Sequence, residues 1–100
     1  MGKLVRDKIP QIIEASGATP LTRTLETEEY LACLETKLDE EVQEFHESKS
    51  PEELADILEV VYALAAAHGC SREQLQQIFD AKHTARGGFK KRIYWIGNRR

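Results

Sequence analysis

Four acids in this sequence stand where a metal ion would want them. Glu41 and Glu44 are three residues apart, and so are Glu53 and Asp56. On a helix that spacing puts both members of a pair on one side. Carboxylates that face one another raise each other's pKa and cost stability when left bare. A divalent cation removes the repulsion. An all-oxygen donor set, with no His or Cys in it, selects a hard ion, Mg²⁺ or Mn²⁺, over zinc. The competing reading is plain: acid-rich helices usually present solvated faces, and Glu-x-x-Glu alone is weak evidence.

Two helices must bring these pairs together. Leu31, Leu34, Leu38, Val42 and Phe45 recur at helical spacing and form one apolar stripe. A helix is therefore expected from Thr27, its candidate cap, to near Ser48. At about 100° per residue, Glu41 falls beside the stripe and Glu44 about 60° further round, with Lys37 between them in angle. Glu40 points nearly opposite the stripe. Ser50 then caps the next helix, with Pro51 at the first helical position and Glu53 in the capping-box place. Leu54, Ile57, Leu58, Val61, Leu64 and Ala65 form its stripe. Val60 and Tyr62 widen it, which predicts burial on more than one side. A connection this short makes antiparallel neighbours, so the two acid pairs can face each other.

The flanks are simpler. Residues 3–17 read as a short extended piece and then a short helix, with Pro10 in its first turn and Gly17 at its end. Ser71 caps a fourth helix, Gln74 completes its capping box, and Leu75, Ile78 and Phe79 are its apolar face. Gly87-Gly88 stops it. Residues 89–95 are β-prone and are candidates to pair with Leu4 and Val5. The expectation is one all-α domain over residues 1–100, an antiparallel helical bundle with room for a short extended segment at the termini.

Composition narrows the partners. The chain has 100 residues and a net charge of −3, which gives no global attraction to a nucleic acid polymer or an anionic membrane. Its longest apolar stretch, residues 57–67, is too short to span a bilayer and is interrupted by Glu59. The opening residues carry charges where a signal peptide needs an apolar run. Cys33 and Cys70 lack metal-ligand spacing, so a cytoplasmic protein with free thiols is expected. The three histidines have no nucleophile partner. The Gly-Gly pair is no P-loop, because the Gly-x-x-x-x-Gly-Lys-Ser/Thr pattern is missing.

Lys37-Leu38-Asp39-Glu40-Glu41-Val42-Gln43-Glu44, followed by Glu53-Leu54-Ala55-Asp56-Ile57-Leu58-Glu59-Val60, resembles the Glu-Glu-x-x-Glu … Glu-x-x-Asp signature of the all-α nucleoside triphosphate pyrophosphohydrolases. That superfamily includes MazG-like proteins, dimeric dUTPases and phosphoribosyl-ATP pyrophosphohydrolase. Lys3-Leu4-Val5-Arg6-Asp7-Lys8-Ile9-Pro10 and Ala85-Arg86-Gly87-Gly88-Phe89 look like its branch of small, predicted house-cleaning enzymes. The gap between the acid pairs is shorter than in typical MazG proteins, which implies a tighter turn.

The resemblance implies a MazG-like domain that forms a homodimer or homotetramer and hydrolyses a nucleotide substrate between its α- and β-phosphates. The products would be a nucleoside monophosphate and pyrophosphate. Carried over, Glu41, Glu44, Glu53 and Asp56 would hold Mg²⁺, with Mn²⁺ as a substitute. Glu40 and Glu41 would be the catalytic acids, Glu40 orienting or deprotonating the water. Lys37 and the basic cluster Lys82, Arg86, Lys90 and Lys91 would contact the phosphates. A helix C-terminus complementing its dipole is the other reading of that cluster. Rival functions are phosphoribosyl-ATP hydrolysis, a non-catalytic helical interaction protein, and weak nucleic-acid binding through residues 90–100.

Overall fold

A computed structural model describes residues 2–99, in the order α1 (Ile9–Ala15), α2 (Thr27–Ser48), α3 (Pro51–Ala67) and α4 (Arg72–Arg86). Among the described residues every regular element is a helix, and no single helix is long and apolar enough to cross a membrane. The chain is all-α.

The caps explain most of the boundaries. At α4 the Ser71 hydroxyl accepts from the Gln74 N–H at 3.1 Å, and the Gln74 side chain accepts from the Ser71 N–H at 2.8 Å. This is the expected capping box. Ser71→Ala should cost about 1 kcal/mol, read as a lower urea midpoint with an unchanged slope. At α3, Ser50 caps as expected, but its side chain accepts from the Glu52 N–H and its hydroxyl donates to the Glu52 carboxylate. Glu53, expected in the box, lies among the acids instead. At α2 the cap position is Glu26, with no side-chain cap bond, and Thr27 is already helical. Arg23 holds this end by gripping Glu29 with two hydrogen bonds, of 3.0 and 2.5 Å.

The α2–α3 connection is two residues, Lys49 and Ser50. Lys49 takes the left-handed conformation, φ 58°, which lets a helix stop within one residue. Its ammonium lies 5.8 Å above the Phe45 ring. The tight turn folds α3 back along α2, and these two helices carry most of the tertiary packing. The small core lies between them. Only Leu34, Val60 and Glu41 are buried among the described residues, and one of the three is a carboxylate.

The rest is loosely attached. α4 leaves α3 at 107°, and Arg72 stacks over the Tyr62 ring at 4.2 Å near the junction. α3 is thus covered by α2 on one side only. Leu54 and Leu58 remain about half exposed, as does Ile78 on α4, while Phe79 is more exposed still. The tail also departs from expectation. Residues 89–99 form no strand with Leu4 and Val5, and Phe89, Ile93, Tyr94, Trp95 and Ile96 are all largely exposed. β-prone residues need a sheet to join, and the steep departure of α4 offers the tail none. The radius of gyration is 18.0 Å, against about 13 Å for a compact chain of this length.

Candidate metal centre

The helical hairpin brings the four acids together. Glu41, Glu44, Glu53 and Asp56 each offer a carboxylate oxygen, and these oxygens all lie within 4.8 Å of one another. The short turn sets the register. It places the second half of α2 beside the first half of α3, where the two pairs lie. Glu41 is the deepest, at 7% exposure, and Glu53 and Asp56 are half-buried.

Glu41 is also the least satisfied. Its Oε1 lies 3.3 Å from the Lys37 ammonium, while its Oε2 is buried without a hydrogen-bond partner. Burial, and then the adjacent Glu44, push the Glu41 carboxyl above its ordinary value; Lys37 only partly offsets them. Burial pulls Lys37 the other way, but Glu41 and Glu40 outweigh it and hold its ammonium above the usual range. Buried polar groups are almost always paired. A carboxylate oxygen buried beside other acids is satisfied by a bound cation, or by a proton held between Glu41 and Glu44 in the direction of the raised Glu41 carboxyl. The spacing suits a small one. Oxygens bound at about 2.1 Å in an octahedron stand about 3 to 4.2 Å apart, so after a slight contraction the cluster would supply four of the six ligands.

Glu40 is not in this cluster, and it does not face open water either. Lys37 bridges it to Glu41, with the same ammonium 3.3 Å from Glu40 Oε1, and Lys3 approaches that oxygen at 3.9 Å. Helical spacing turns Glu40 away from the apolar stripe of α2, and the segment before α1 reaches it there through Lys3.

That segment sets two cations, Lys3 and Arg6, against acids of α2 and α3. Arg6 Nη1 lies 3.3 Å from Asp56 Oδ1, and its Nη2 lies 3.3 Å from Glu59 Oε1. Residues 3–9, α2 and α3 together line a cleft of about 860 Å³ that contains Lys37, Glu41 and Asp56. Of the five basic residues expected at the phosphates, only Lys37 lines it. Lys82, Arg86, Lys90 and Lys91 sit on α4 and beyond it, exposed and away from the cleft. The signal available in the sequence is a segment with Lys3, Arg6 and Lys8 next to an acid-rich chain.

No family model matches this chain, and no solved structure matches it. Among curated proteins it is similar to one from Mycolicibacterium smegmatis described as "Uncharacterized protein". The two are 61% identical over 44 residues, which is 44% of this chain and 45% of that protein. The match therefore spans less than half of the relative's length.

Proposed function

We propose that this chain is a Mg²⁺-dependent nucleoside triphosphate pyrophosphohydrolase of the all-α, MazG-like kind. It would cleave a nucleotide between its α- and β-phosphates and act on non-standard nucleotides. The single observation that carries the reading is the buried, unpaired Oε2 of Glu41 within a four-carboxylate cluster. A solvated acidic face would leave no such atom.

Glu41, Glu44, Glu53 and Asp56 would hold the ion. When bound, Mg²⁺ or Mn²⁺ neutralises charge on the phosphate oxygens and lowers the pKa of a water. Lys37 fixes the orientation of Glu41 and Glu40 through one shared ammonium. Glu40 lies one step outside the ligand set. It is suited to orient the attacking water and accept its proton, so that one water is consumed for each monophosphate and pyrophosphate released. The cleft volume is within the usual range of ligand sites, about 300 to 1,000 Å³.

The uncovered apolar faces of α3 and α4 favour assembly with further copies of the chain, as a homodimer or homotetramer.

The test is a nucleotide panel with Mg²⁺ or Mn²⁺, read by pyrophosphate release. It should include dUTP, dCTP, modified purine triphosphates and phosphoribosyl-ATP. At least one nucleotide should turn over, and Asp56→Asn should remove that activity while the far-UV spectrum stays helical. Full turnover in Asp56→Asn would refute the ligand assignment.

A further inference from the structure

Two cations on one short segment reach both helices of the site. Lys3 approaches Glu40 on α2, and Arg6 binds Asp56 and Glu59 on α3. The segment thus lies across the acid cluster and forms a wall of the cleft, with Leu4 and Val5 among its apolar lining. We propose that Arg6 is a polyphosphate-binding residue, assisted by Lys3, that receives the phosphate chain of the ligand whose metal the four acids hold. The proposal rests on the metal reading above.

Three observations support it. First, Arg6 is near Asp56 without being locked to it. Both of its ion pairs are 3.3 Å, longer than the roughly 2.7 to 2.9 Å of a tight guanidinium–carboxylate pair. Its side chain is 61% exposed, so N–H donors remain free for an anion. Secondly, Asp56 is shared between Arg6 and the cluster. An anion drawn to a cation held by Asp56 would therefore lie beside the guanidinium. A planar guanidinium matches phosphate geometry better than an ammonium does. Thirdly, the charges need it. Four carboxylates outweigh one divalent ion, so a polyanion approaching the cluster alone meets residual negative charge. Lys3, Arg6, Lys8 and Lys37 line that same cleft and offset its four lining acids, Asp7, Glu41, Asp56 and Glu59, so that a bound divalent ion would leave the cleft positive.

The experiment measures binding to the full chain by titration calorimetry, first with Mg²⁺ alone and then with inorganic tripolyphosphate at saturating Mg²⁺. For Arg6→Ala, Mg²⁺ affinity should be unchanged or a few-fold tighter, because a cation competing for Asp56 is gone. Tripolyphosphate affinity should fall about 10- to 100-fold, the range of a charge-assisted hydrogen-bond pair. Arg6→Gln keeps a donor for Asp56 but no charge; it should show the same fall and decides the matter if Arg6→Ala does not fold. Unchanged tripolyphosphate affinity overturns the proposal and leaves the metal site standing. So does wild-type protein that binds Mg²⁺ but no tripolyphosphate. An equal loss of both affinities also overturns it, because Arg6 would then only position Asp56. Wild-type protein that binds no Mg²⁺ removes the metal reading and this proposal together.

Discussion

Glu41→Gln should make the metal-free protein more stable and at the same time abolish its use of Mg²⁺. The two effects have one origin. Glu41 is nearly buried, has an orphaned Oε2, and lies against Glu44. A buried polar atom without a partner costs about 1 to 3 kcal/mol, and more when charged. A glutamine keeps the shape and accepts from Lys37 at Oε1. Its Nε2 can donate to Glu44, which no carboxylate can do unless protonated. A gain of about 1 to 2 kcal/mol, or a melting temperature about 4 to 15 °C higher, is the expected result without metal. Mg²⁺ should then give no further shift. Pyrophosphate release should fall by more than about 100-fold, since even residues one layer behind metal ligands cost 10- to 100-fold.

The pH dependence follows from the direction of the Glu41 shift. Its carboxyl is raised above the ordinary carboxylate value, so the folded chain holds this proton more tightly than the unfolded chain. That stabilising contribution is complete below the unfolded value and disappears as the pH rises through the folded one. Wild-type protein without metal should therefore lose stability across that window relative to Glu41→Gln. Mg²⁺ requires the ionised group, so its stabilisation should grow across the same window and release a proton as it binds. Thermal melts of both proteins from pH 4 to 8, with and without Mg²⁺, measure all of this. A Glu41→Gln protein less stable than wild type at pH 8 without metal would mean that the carboxylate is already satisfied.

How far the sequence reaches is clearest where single residues are compared. The helix starts at Pro51 and Arg72 follow from Ser50 and Ser71, because a cap is a local hydrogen bond and its partners are neighbours in the chain. The acid cluster is legible for a related reason. A two-residue turn leaves one way to fold α3 onto α2, so helical angles on each rod carry over into space. Arg6 lies 50 residues from Asp56, and no periodicity links them. The same is true of the Lys3–Glu40 contact, which the position of Glu40 around α2 does not foretell. Glu53 shows a local rule losing to a tertiary one: its box position at Ser50 yields to its place among the other acids. The α4 direction is set by four linking residues, His68 to Ser71, after a broad apolar helix, and hydropathy patterning carries no angle.

Wild-type protein in solution should have the mass of two or four chains, and Leu58→Glu or Ile78→Glu should reduce it to one. The described chain exposes 9231 Å², while a compact monomer of this mass exposes about 5,800 Å². The excess is several times the roughly 800 Å² that each partner buries in an ordinary stable interface. Part of it belongs to the extended tail, but Leu54 and Leu58 lie one turn apart on α3, and Ile78 and Phe79 adjoin on α4. Helix faces of this kind seldom remain in water. A glutamate at Leu58 or Ile78 would place an unpaired charge in the contact, at a cost of several kcal/mol for each copy. Because the chain's own core is little more than Leu34 and Val60, dissociation should also lower the melting temperature and make it depend on protein concentration. Leu21→Glu is the control, since Leu21 is 97% exposed in the connection before α2 and on no helix face. Light scattering at micromolar concentration reads the mass directly. A wild-type monomer that melts cooperatively at one concentration-independent temperature would show that α2 and α3 alone suffice, and that the open faces of α3 and α4 belong to something other than a second copy.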